Sequence, residues 1–216
     1  MKRRKQSVRG KFITLEGVEG VGKSTHLEFV NHYLRDRGMT VLVTREPGGT
    51  PAANEIRKIL LAIRTENFQP MAELLLMFAA RALHVENVIK PALAAGTWIV
   101  CDRFTDASYA YQGGGRGIAA PHIASLERMV LKDLRPDLTI LLDTKIEVGL
   151  ARAKERGVLD RFEQEQGEFF KRVRRVYLAR ARREPRRIKM VNAGGSIADV
   201  QAEISGLLDK RFAIWI

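Results

Sequence analysis

The order of apolar and polar residues divides the chain into short apolar runs and longer stretches with helical spacing. Apolar runs that end at a glycine or a charged loop are typical of buried strands. Five of them lie within residues 11–17, 40–49, 97–104, 137–143 and 187–195. Helical spacing separates them at residues 23–38, 51–62, 70–95, 145–156, 163–183 and 197–210. This alternation predicts an α/β fold, a three-layer α/β/α sandwich around a five-stranded parallel sheet.

Length and composition narrow the class of protein. A chain of 216 residues, 45% of them hydrophobic, is expected to form a single domain with a sizeable core. No apolar run approaches the roughly 20 residues that a membrane-spanning helix needs, so we expect no membrane segment. Cys101 is the sole cysteine, which excludes an internal disulfide and favours a reducing, cytoplasmic location.

The formal net charge of +12 is concentrated in two segments. Residues 1–11 hold six basic side chains and no acidic one, and residues 171–189 hold ten basic side chains and one acidic side chain. We expect 1–11 to be a basic, disordered tail ahead of a single domain at 12–212. The later segment is either a solvated helix face or a surface for a polyanion. The solvated face is the favoured interpretation, so nucleic acid is not the expected partner.

The segment "GVEGVGKS" has the spacing of a phosphate-binding loop, and it lies between a predicted strand and a predicted helix. Its glycines allow backbone N–H groups to turn toward phosphate oxygens, and the helix start adds the positive end of its dipole. Lys23 is expected to reach the β and γ phosphates, and the Ser24 hydroxyl to ligate Mg²⁺. The predicted ATP-binding residues of this loop are Gly17, Val18, Glu19, Gly20, Val21, Gly22, Lys23, Ser24 and Thr25.

Two further loops follow predicted strands. "TREPGGT" begins at Thr44, and "CDRFTDASYAYQGGGRG" begins at Cys101. Because ligands of parallel α/β sheets bind at the carboxyl ends of the strands, all three loops are expected to meet in one crevice. That places Arg45, Glu46, Asp102 and Arg103 near the phosphate loop.

Several segments resemble one family, the thymidylate kinases, and they occur in family order between residue 12 and about residue 180. They are "FITLEGVEGVGKST", "TREPGGT", "FAARALH", "DRFTDASYAYQGGGRG", "PDLTILLD" and "LDRFEQE". The resemblance is to the bacterial form, in which the loop carries glycine, here Gly20, where other members carry arginine. It implies a P-loop nucleoside monophosphate kinase-like fold, ATP-dependent phosphorylation of thymidine 5′-monophosphate (dTMP) in dTTP biosynthesis, Mg²⁺ as cofactor and a homodimer.

The same resemblance implies roles for individual residues. A lid at about 150–163 would supply Arg152, Arg156 and Arg161 to ATP in place of the missing loop arginine. Asp102 would lie with Ser24 near the metal. The residues implied in catalysis are Lys23, Arg103, Asp102, Glu19 and Arg156. The residues implied in dTMP binding are Glu46, Arg57, Phe78, Arg81, Arg103, Ser108, Tyr111 and Gln112.

The aromatic residue expected to stack on thymine has two candidate positions. Many relatives carry it four residues before the arginine that corresponds to Arg81, where this chain has Met77, while Phe78 lies three residues before it. Both spacings reach one helical face. Phe78 is therefore expected to stack on the base, with packing in the core as its alternative role.

Two other functions remain open at this point. A deoxynucleoside kinase would need a carboxylate base, for which Glu16 or Glu46 could serve, although "TREPGGT" and "YQGGGRG" argue against it. A nucleotide-switched protein that binds nucleic acid could use the basic segment 171–189, but the Asn-Lys-x-Asp motif of switch GTPases is absent from the sequence.

Overall fold

The computed structural model describes residues 9–63, 65–66, 68–155, 161–162 and 165–214. Within these residues, five strands form one sheet in the order β2-β3-β1-β4-β5, and every neighbouring pair is parallel. The strands are β1 Phe12–Glu16, β2 Val41–Arg45, β3 Trp98–Asp102, β4 Leu138–Asp143 and β5 Ile188–Asn192. The predicted five-stranded parallel sheet is confirmed.

Helices connect the strands and cover both faces of the sheet. They are α1 Lys23–Arg35, α2 Pro51–Leu61, α3 Pro70–His84, α4 Lys90–Ala94, α5 Thr105–Ser108, α6 Ala120–Leu131, α7 Ile146–Glu155, α8 Gly167–Arg183 and α9 Ile197–Phe212. Two π-helical segments, π1 Val85–Ile89 and π2 Tyr109–Gly115, continue α3 and α5. Pro51 and Pro70 lie in the first turns of α2 and α3, where a missing backbone N–H costs no hydrogen bond.

The alternation of side chains along β1 separates two buried clusters. Ile13 and Leu15 belong to a large cluster that includes residues of α1, α8 and α9. Phe12 belongs to a second cluster, together with residues of π1, α4 and the end of α6. Because successive strand residues point to opposite faces, the two clusters lie on the two sides of the sheet. Helices therefore pack on both sides of the sheet, which gives the three layers.

The glycine run at 113–115 was interpreted from the sequence as part of a loop, and it is helical instead. Close packing against α8 explains the glycines. A Cβ atom on Gly114 would lie 2.7 Å from Val176 Cγ2, and one on Gly115 would lie 2.4 Å from the Phe169 ring. Arg172 also donates to the carbonyl oxygens of Gly114 and Gly115 at 3.2 and 3.0 Å. The glycines permit contact between two helices rather than a turn.

The basic segment 171–189 is partly internal. Arg174 binds both carboxylate oxygens of Asp143, at 2.7 and 2.8 Å. Arg180 and Arg187 both bind the buried carboxylate of Asp106. These three arginines fasten α8 and the start of β5 to the rest of the domain.

Parts of the predicted tail and lid fall outside the described residues, namely 1–8, 156–160 and 163–164. Within the described part of the chain, no helix is both long enough and apolar enough to cross a membrane.

Candidate active site

A cavity of about 490 Å³ opens at the carboxyl ends of β1, β2 and β3. Strand β1 lies between β3 and β4. The strand order reverses at β1, and in open parallel sheets a ligand-binding crevice forms at the carboxyl end of the strands at such a point. The three loops that the sequence predicted to converge all contribute to the walls. The predicted site residues among its lining are Glu19, Gly20, Gly22, Lys23, Ser24, Thr25, Glu46, Arg57, Arg81, Asp102, Arg103, Ser108, Tyr111, Gln112 and Arg152.

The loop after β1 turns its backbone around the start of α1. Gly17, Gly20 and Gly22 have φ angles of 142°, 71° and 84°, which glycine adopts without steric cost. The buried Lys23 donates from Nζ to the carbonyl oxygens of Gly17 (3.3 Å) and Val18 (2.8 Å). The lysine is thus folded back across the loop, with its charge at the phosphate end of the cavity.

The side chains of Val18 and Val21 are buried in the large core cluster. These two residues can offer a ligand only their backbone groups.

Gly20 lies where this loop meets α7. A Cβ atom at position 20 would lie 1.8 Å from the carbonyl oxygen of Gly149. No L side chain fits at that separation, so the packing of α7 against the loop requires glycine here. A side chain as large as arginine has no room at position 20, whereas Arg152, on the same helix as Gly149, lines the cavity.

Arg103 joins the phosphate loop to the loop after β3. Its backbone is left-handed, with φ of 66°, and its N–H donates to Leu15 O at 3.0 Å. Its Nη1 donates to Gly17 O at 3.1 Å, and its Nη2 donates to the Tyr111 hydroxyl at 2.8 Å and to Glu19 Oε1. The guanidinium carbon lies 5.0 Å from the centre of the Tyr111 ring. These contacts fix the orientation of the Arg103 guanidinium.

Charged side chains surround the Glu19 carboxylate. Burial of the Glu19 carboxyl opposes its ionisation, but Arg103 and Lys23 hold its pKa well below the usual range. Burial lowers the pKa of Lys23, as does the charge of Arg103, and Glu19 partly offsets both effects. Lys23 and Arg103 are the cations of this group, and Glu19 and Asp102 are the carboxylates whose negative charge acts on both of them.

Asp102 ends β3 beside Leu15 of β1 and Arg45 of β2. Its Oδ1 is buried and has no hydrogen-bond partner among the described residues. Ser24 is exposed in the first turn of α1 and lines the same cavity. The described residues contain no cluster of three His, Cys, Asp or Glu side chains that could hold a metal. A metal ion here would take most of its ligands from water and substrate, as Mg²⁺ commonly does.

Arg81 and Glu46 form a buried ion pair on the opposite wall, with 2.6 Å between Nε and Oε2. The two terminal nitrogens of Arg81 donate to Ser108 Oγ at 3.0 Å and to Phe104 O at 3.1 Å. The second oxygen of Glu46 lies 3.0 Å from His84 Nδ1. An arginine has five N–H groups, so each terminal nitrogen of Arg81 retains one for a ligand.

The structure does not bring Phe78 into the cavity. Its side chain is buried with Leu74 and Ile123, and the Arg81 guanidinium lies 4.6 Å from the centre of its ring. Met77 lines the cavity instead. The one-residue difference rotates the side chain by about 100° around the helix axis. Met77 therefore lies at the cavity wall, where Phe78 was expected, and Phe78 packs in the core.

The three predicted lid arginines have different surroundings. Arg152 lines the cavity and donates to the carbonyl oxygen of Ala193, directly after β5, at 3.2 Å. Arg161 does not line it: its side chain donates to Leu60 O at 2.9 Å and to Glu73 Oε2 at 2.7 Å. Arg156 lies outside the described residues.

Phe162 and Glu73 are among the residues in or behind the cavity wall that were not predicted as site residues. Phe162 lines the cavity and lies edge-on to Tyr111, with 6.0 Å between ring centres. It belongs to the "LDRFEQE" motif, which was the available signal. Glu73, completely buried, accepts hydrogen bonds from Gln112, Arg116 and Arg161. No sequence pattern marked it, since its partners are distant along the chain.

Glu16, one of the two alternative bases, is fully buried at the end of β1. Its Oε1 accepts the backbone N–H of Phe104 at 2.7 Å, and its Oε2 accepts the Tyr177 hydroxyl at 2.7 Å. Burial, reinforced by the negative charge of Asp106, raises the pKa of Glu16 to about 8.

Comparisons with known proteins agree on one family. The family model described as Thymidylate kinase matches residues 15–204. The thymidylate kinase of Pseudomonas syringae pv. tomato is 57% identical over 201 residues, which cover 93% of this chain and 96% of that protein. The thymidylate kinase of Teredinibacter turnerae is 53% identical over 200 residues, covering 93% and 98%. The crystal structure of thymidylate kinase from Ehrlichia chaffeensis superposes with a TM-score of 0.76 at 31% identity, over 93% of this chain and 99% of that one.

Proposed function

The chain belongs to the thymidylate kinase family and phosphorylates dTMP with ATP, and on that premise we propose which of its residues perform the transfer. One observation carries the proposal. The phosphate loop, Arg103 and the Arg81–Glu46 pair all line a single cavity. ATP binds at the phosphate loop, dTMP binds against Arg81, and Arg103 lies between them. The products are ADP and thymidine 5′-diphosphate.

Charge neutralisation and alignment account for the catalysis. The acceptor is an anionic phosphate oxygen, so no strong general base is needed, and the main task is to bring two anions into line. Lys23 binds the β and γ phosphates, and Arg103 binds the acceptor phosphate and the transferring group. Glu19 and the Tyr111 hydroxyl act as positioning groups, because both are bonded to the Arg103 guanidinium. The arginine is therefore aligned before the substrates meet.

Mg²⁺ is the cofactor that fits these residues. The Ser24 hydroxyl and the unpartnered Asp102 Oδ1 are the groups that would hold the ion and its water ligands. When bound, it would supply neutralising charge beside the phosphates of ATP.

The acceptor side reads the base through fixed polar groups. Arg81 donates to a carbonyl oxygen of thymine through an N–H that no described residue uses. Ser108 holds Arg81 in place, and Gln112 lies beside the ring. Met77 forms the apolar surface under the base. Arg57 and Tyr111 lie toward the sugar and phosphate.

The lid completes the ATP side. Arg152, already at the cavity wall, contacts the phosphates of ATP. The family resemblance gives Arg156 the same role. Arg161 holds the base of the lid through Glu73 and the Leu60 carbonyl oxygen.

Two carboxylates could act as the base of a deoxynucleoside kinase, and both already have hydrogen-bond partners on each oxygen, which disfavours that alternative. Both oxygens of Glu16 have hydrogen-bond partners, Phe104 N–H and the Tyr177 hydroxyl. Both oxygens of Glu46 are engaged by Arg81 and His84. Neither carboxylate is placed to remove a proton from a sugar hydroxyl, as a nucleoside acceptor would require.

The outward face of α3 supports a homodimer. Ala72, Leu75 and Ala79 are exposed at one-turn intervals, and Leu75 is 51% exposed. An uncharged apolar face is complementary to itself, which a two-fold interface requires. We expect Leu75→Glu to shift the molar mass measured by light scattering toward a monomer. Ile197→Glu, at a residue 60% exposed on α9, is the matched control and should leave it unchanged. A Leu75→Glu protein of unaltered mass would contradict this interface.

A cytoplasmic location remains our proposal, since Cys101 is a free, buried thiol that suits a reducing compartment. Cell fractionation followed by an assay for the enzyme would test it.

The direct test of the function is ADP production from Mg-ATP. Thymidine, dTMP and the other deoxynucleoside monophosphates are offered separately. Strong preference for dTMP is expected. Activity on free thymidine alone would overturn the assignment of the acceptor, and preference for another monophosphate would overturn the roles of Arg81 and Gln112.

A further inference from the structure

A buried carboxylate behind the cavity wall connects elements that are far apart in sequence. Glu73, in the first turn of α3, is completely buried and is not among the lining residues. Its Oε1 accepts a hydrogen bond from Gln112 Nε2 at 2.9 Å. Its Oε2 accepts from Arg116 Nε at 3.2 Å and Arg161 Nη2 at 2.7 Å. Two guanidinium groups thus compensate the carboxylate, and a neutral amide takes one of the remaining acceptor positions.

This contact determines which end of the Gln112 amide faces the cavity. A glutamine amide can be rotated by 180°, which exchanges a donor for an acceptor. A carboxylate only accepts, so the NH₂ group must point toward Glu73. Gln112 is 1% exposed, it lines the cavity, and its Oε1 accepts no hydrogen bond from any residue within the described ranges. That oxygen is the atom left for a ligand.

The neighbouring Arg81 presents the opposite character. It has only donors, its three nitrogens are held by Glu46, Ser108 and Phe104, and one N–H on each terminal nitrogen remains. The wall therefore offers a donor from Arg81 and an acceptor from Gln112. A thymine or uracil ring carries an acceptor at O4 and a donor at N3–H, which match. Cytosine has a donor at N4 and an acceptor at N3, which oppose both groups.

We propose that Glu73 is a specificity-determining positioning residue, which excludes cytosine nucleotides by locking the Gln112 amide with its oxygen toward the base. The inference rests on the proposed function of the same cavity. Glu73 touches no substrate and acts through Gln112. Its two arginines hold the carboxylate in place, and Arg161 precedes Phe162 of the cavity wall. Because mismatched buried polar groups go unpaired, the discrimination against cytosine is expected to be large.

The test is Glu73→Gln, assayed with dTMP, dUMP and dCMP at saturating Mg-ATP. A glutamine at 73 can donate or accept, so it pairs with Gln112 in either orientation and the lock is lost. We expect the ratio of kcat/KM for dTMP over dCMP to fall about tenfold or more, mainly through KM. The ratio for dTMP over dUMP should stay constant, since both rings present O4 and N3–H. Dissociation constants for dTMP and dCMP, measured by calorimetry without ATP, should change in the same ratio.

Glu127→Gln is the matched control. Glu127 is a buried carboxylate on α6 that accepts from the Tyr109 hydroxyl at 2.6 Å and does not line the cavity. It should leave both ratios unchanged. If Glu73→Gln does not fold, Glu73→Asp keeps the charge beside both arginines but withdraws the carboxylate from Gln112, and a smaller fall in the dTMP to dCMP ratio is expected.

Equal losses on dTMP and dCMP in the Glu73 variants would show a merely structural role and overturn the inference. A wild-type protein active on dTMP, together with an unchanged ratio in the variant, would overturn this inference alone. A wild-type protein that does not use dTMP would overturn the proposed function itself.

Discussion

The donor and acceptor halves of the cavity are built in different ways. The donor half is built mainly from one continuous segment, residues 17–25, with Arg152 of α7 beside it, and glycines at positive φ give that segment its shape. The acceptor half is a network of side chains from α3, π2, α5 and the loop after β2, with Glu46, Glu73 and Arg81 all buried. A change of backbone conformation should therefore damage the first half, and a change of one polar atom the second. Arg103 belongs to both halves.

The strongest test of this contrast removes the residue that connects the halves. Arg103→Ala should lower kcat by roughly 10³-fold or more, because it withdraws the positive charge from the transferring group. The fold should remain, since the arginine lines the cavity and is not part of the hydrophobic core. Steady-state kinetics and thermal unfolding measure the two effects. Arg135→Ala, at an arginine outside the cavity, is the control, and wild-type turnover in Arg103→Ala would refute the assigned role.

The donor half can be broken through its backbone alone. Gly20→Ala adds a Cβ that would lie 1.8 Å from Gly149 O, at a φ of 71°. We expect a rise in KM for ATP and a loss of several kcal/mol in the free energy of unfolding. Gly38→Ala is the control that measures backbone strain without steric overlap. Gly38 has a φ of 79°, similar to that of Gly20, but nothing lies within 4 Å of the added Cβ atom. It should cost only about 1 kcal/mol and leave KM for ATP unchanged. Equal effects in both variants would mean that the contact with α7 is unimportant.

Glu16, buried at the end of β1, should make stability depend on pH. With a native pKa of about 8 against 4.5 for an unperturbed glutamate, the folded protein keeps a proton that the unfolded chain releases. The stabilisation is fully present below pH 4.5 and is lost as the pH rises through 8. Relative to Glu16→Gln, the wild type should lose up to about 1.4 kcal/mol of unfolding free energy per pH unit in this window. Denaturant unfolding at several pH values measures it, and a constant difference from pH 5 to 9 would contradict it.

The smallest effect is expected on the acceptor side, where only the base-stacking surface changes. Met77→Phe places an aromatic ring at the cavity wall, and stacking on the thymine ring should lower KM for dTMP a few-fold. Phe78→Leu, one residue away, should instead lower the melting temperature through lost core packing and leave KM unaltered. If Phe78→Leu changes KM for dTMP and Met77→Phe does not, the sequence-based assignment of Phe78 is the better one.

The sequence predicted features that depend on neighbouring residues. The five strands, the phosphate loop and its position between β1 and α1 follow from local patterns of apolar residues and glycines. The prediction of a loop at residues 113–115 was wrong. Glycine occurs both in turns and where helices pack closely, and only the contact with α8 shows that the second reason applies here. Phe78 was placed at the base because helical periodicity gives the face of a helix but not which of two adjacent residues borders a cavity.

By itself, the sequence determined the fold class and the phosphate-binding loop, because glycine spacing and hydrophobic periodicity restrict the backbone directly. The sequence also predicted which loops meet, but the individual contacts between side chains were decided by the tertiary structure. Glu73 is brought to Gln112, Arg116 and Arg161 only when α3, π2 and the segment after α7 pack together. It also decided that Gly20 is required by Gly149 of α7. The physical reason is that side-chain contacts between distant segments depend on distances in space, which no local pattern of residues encodes.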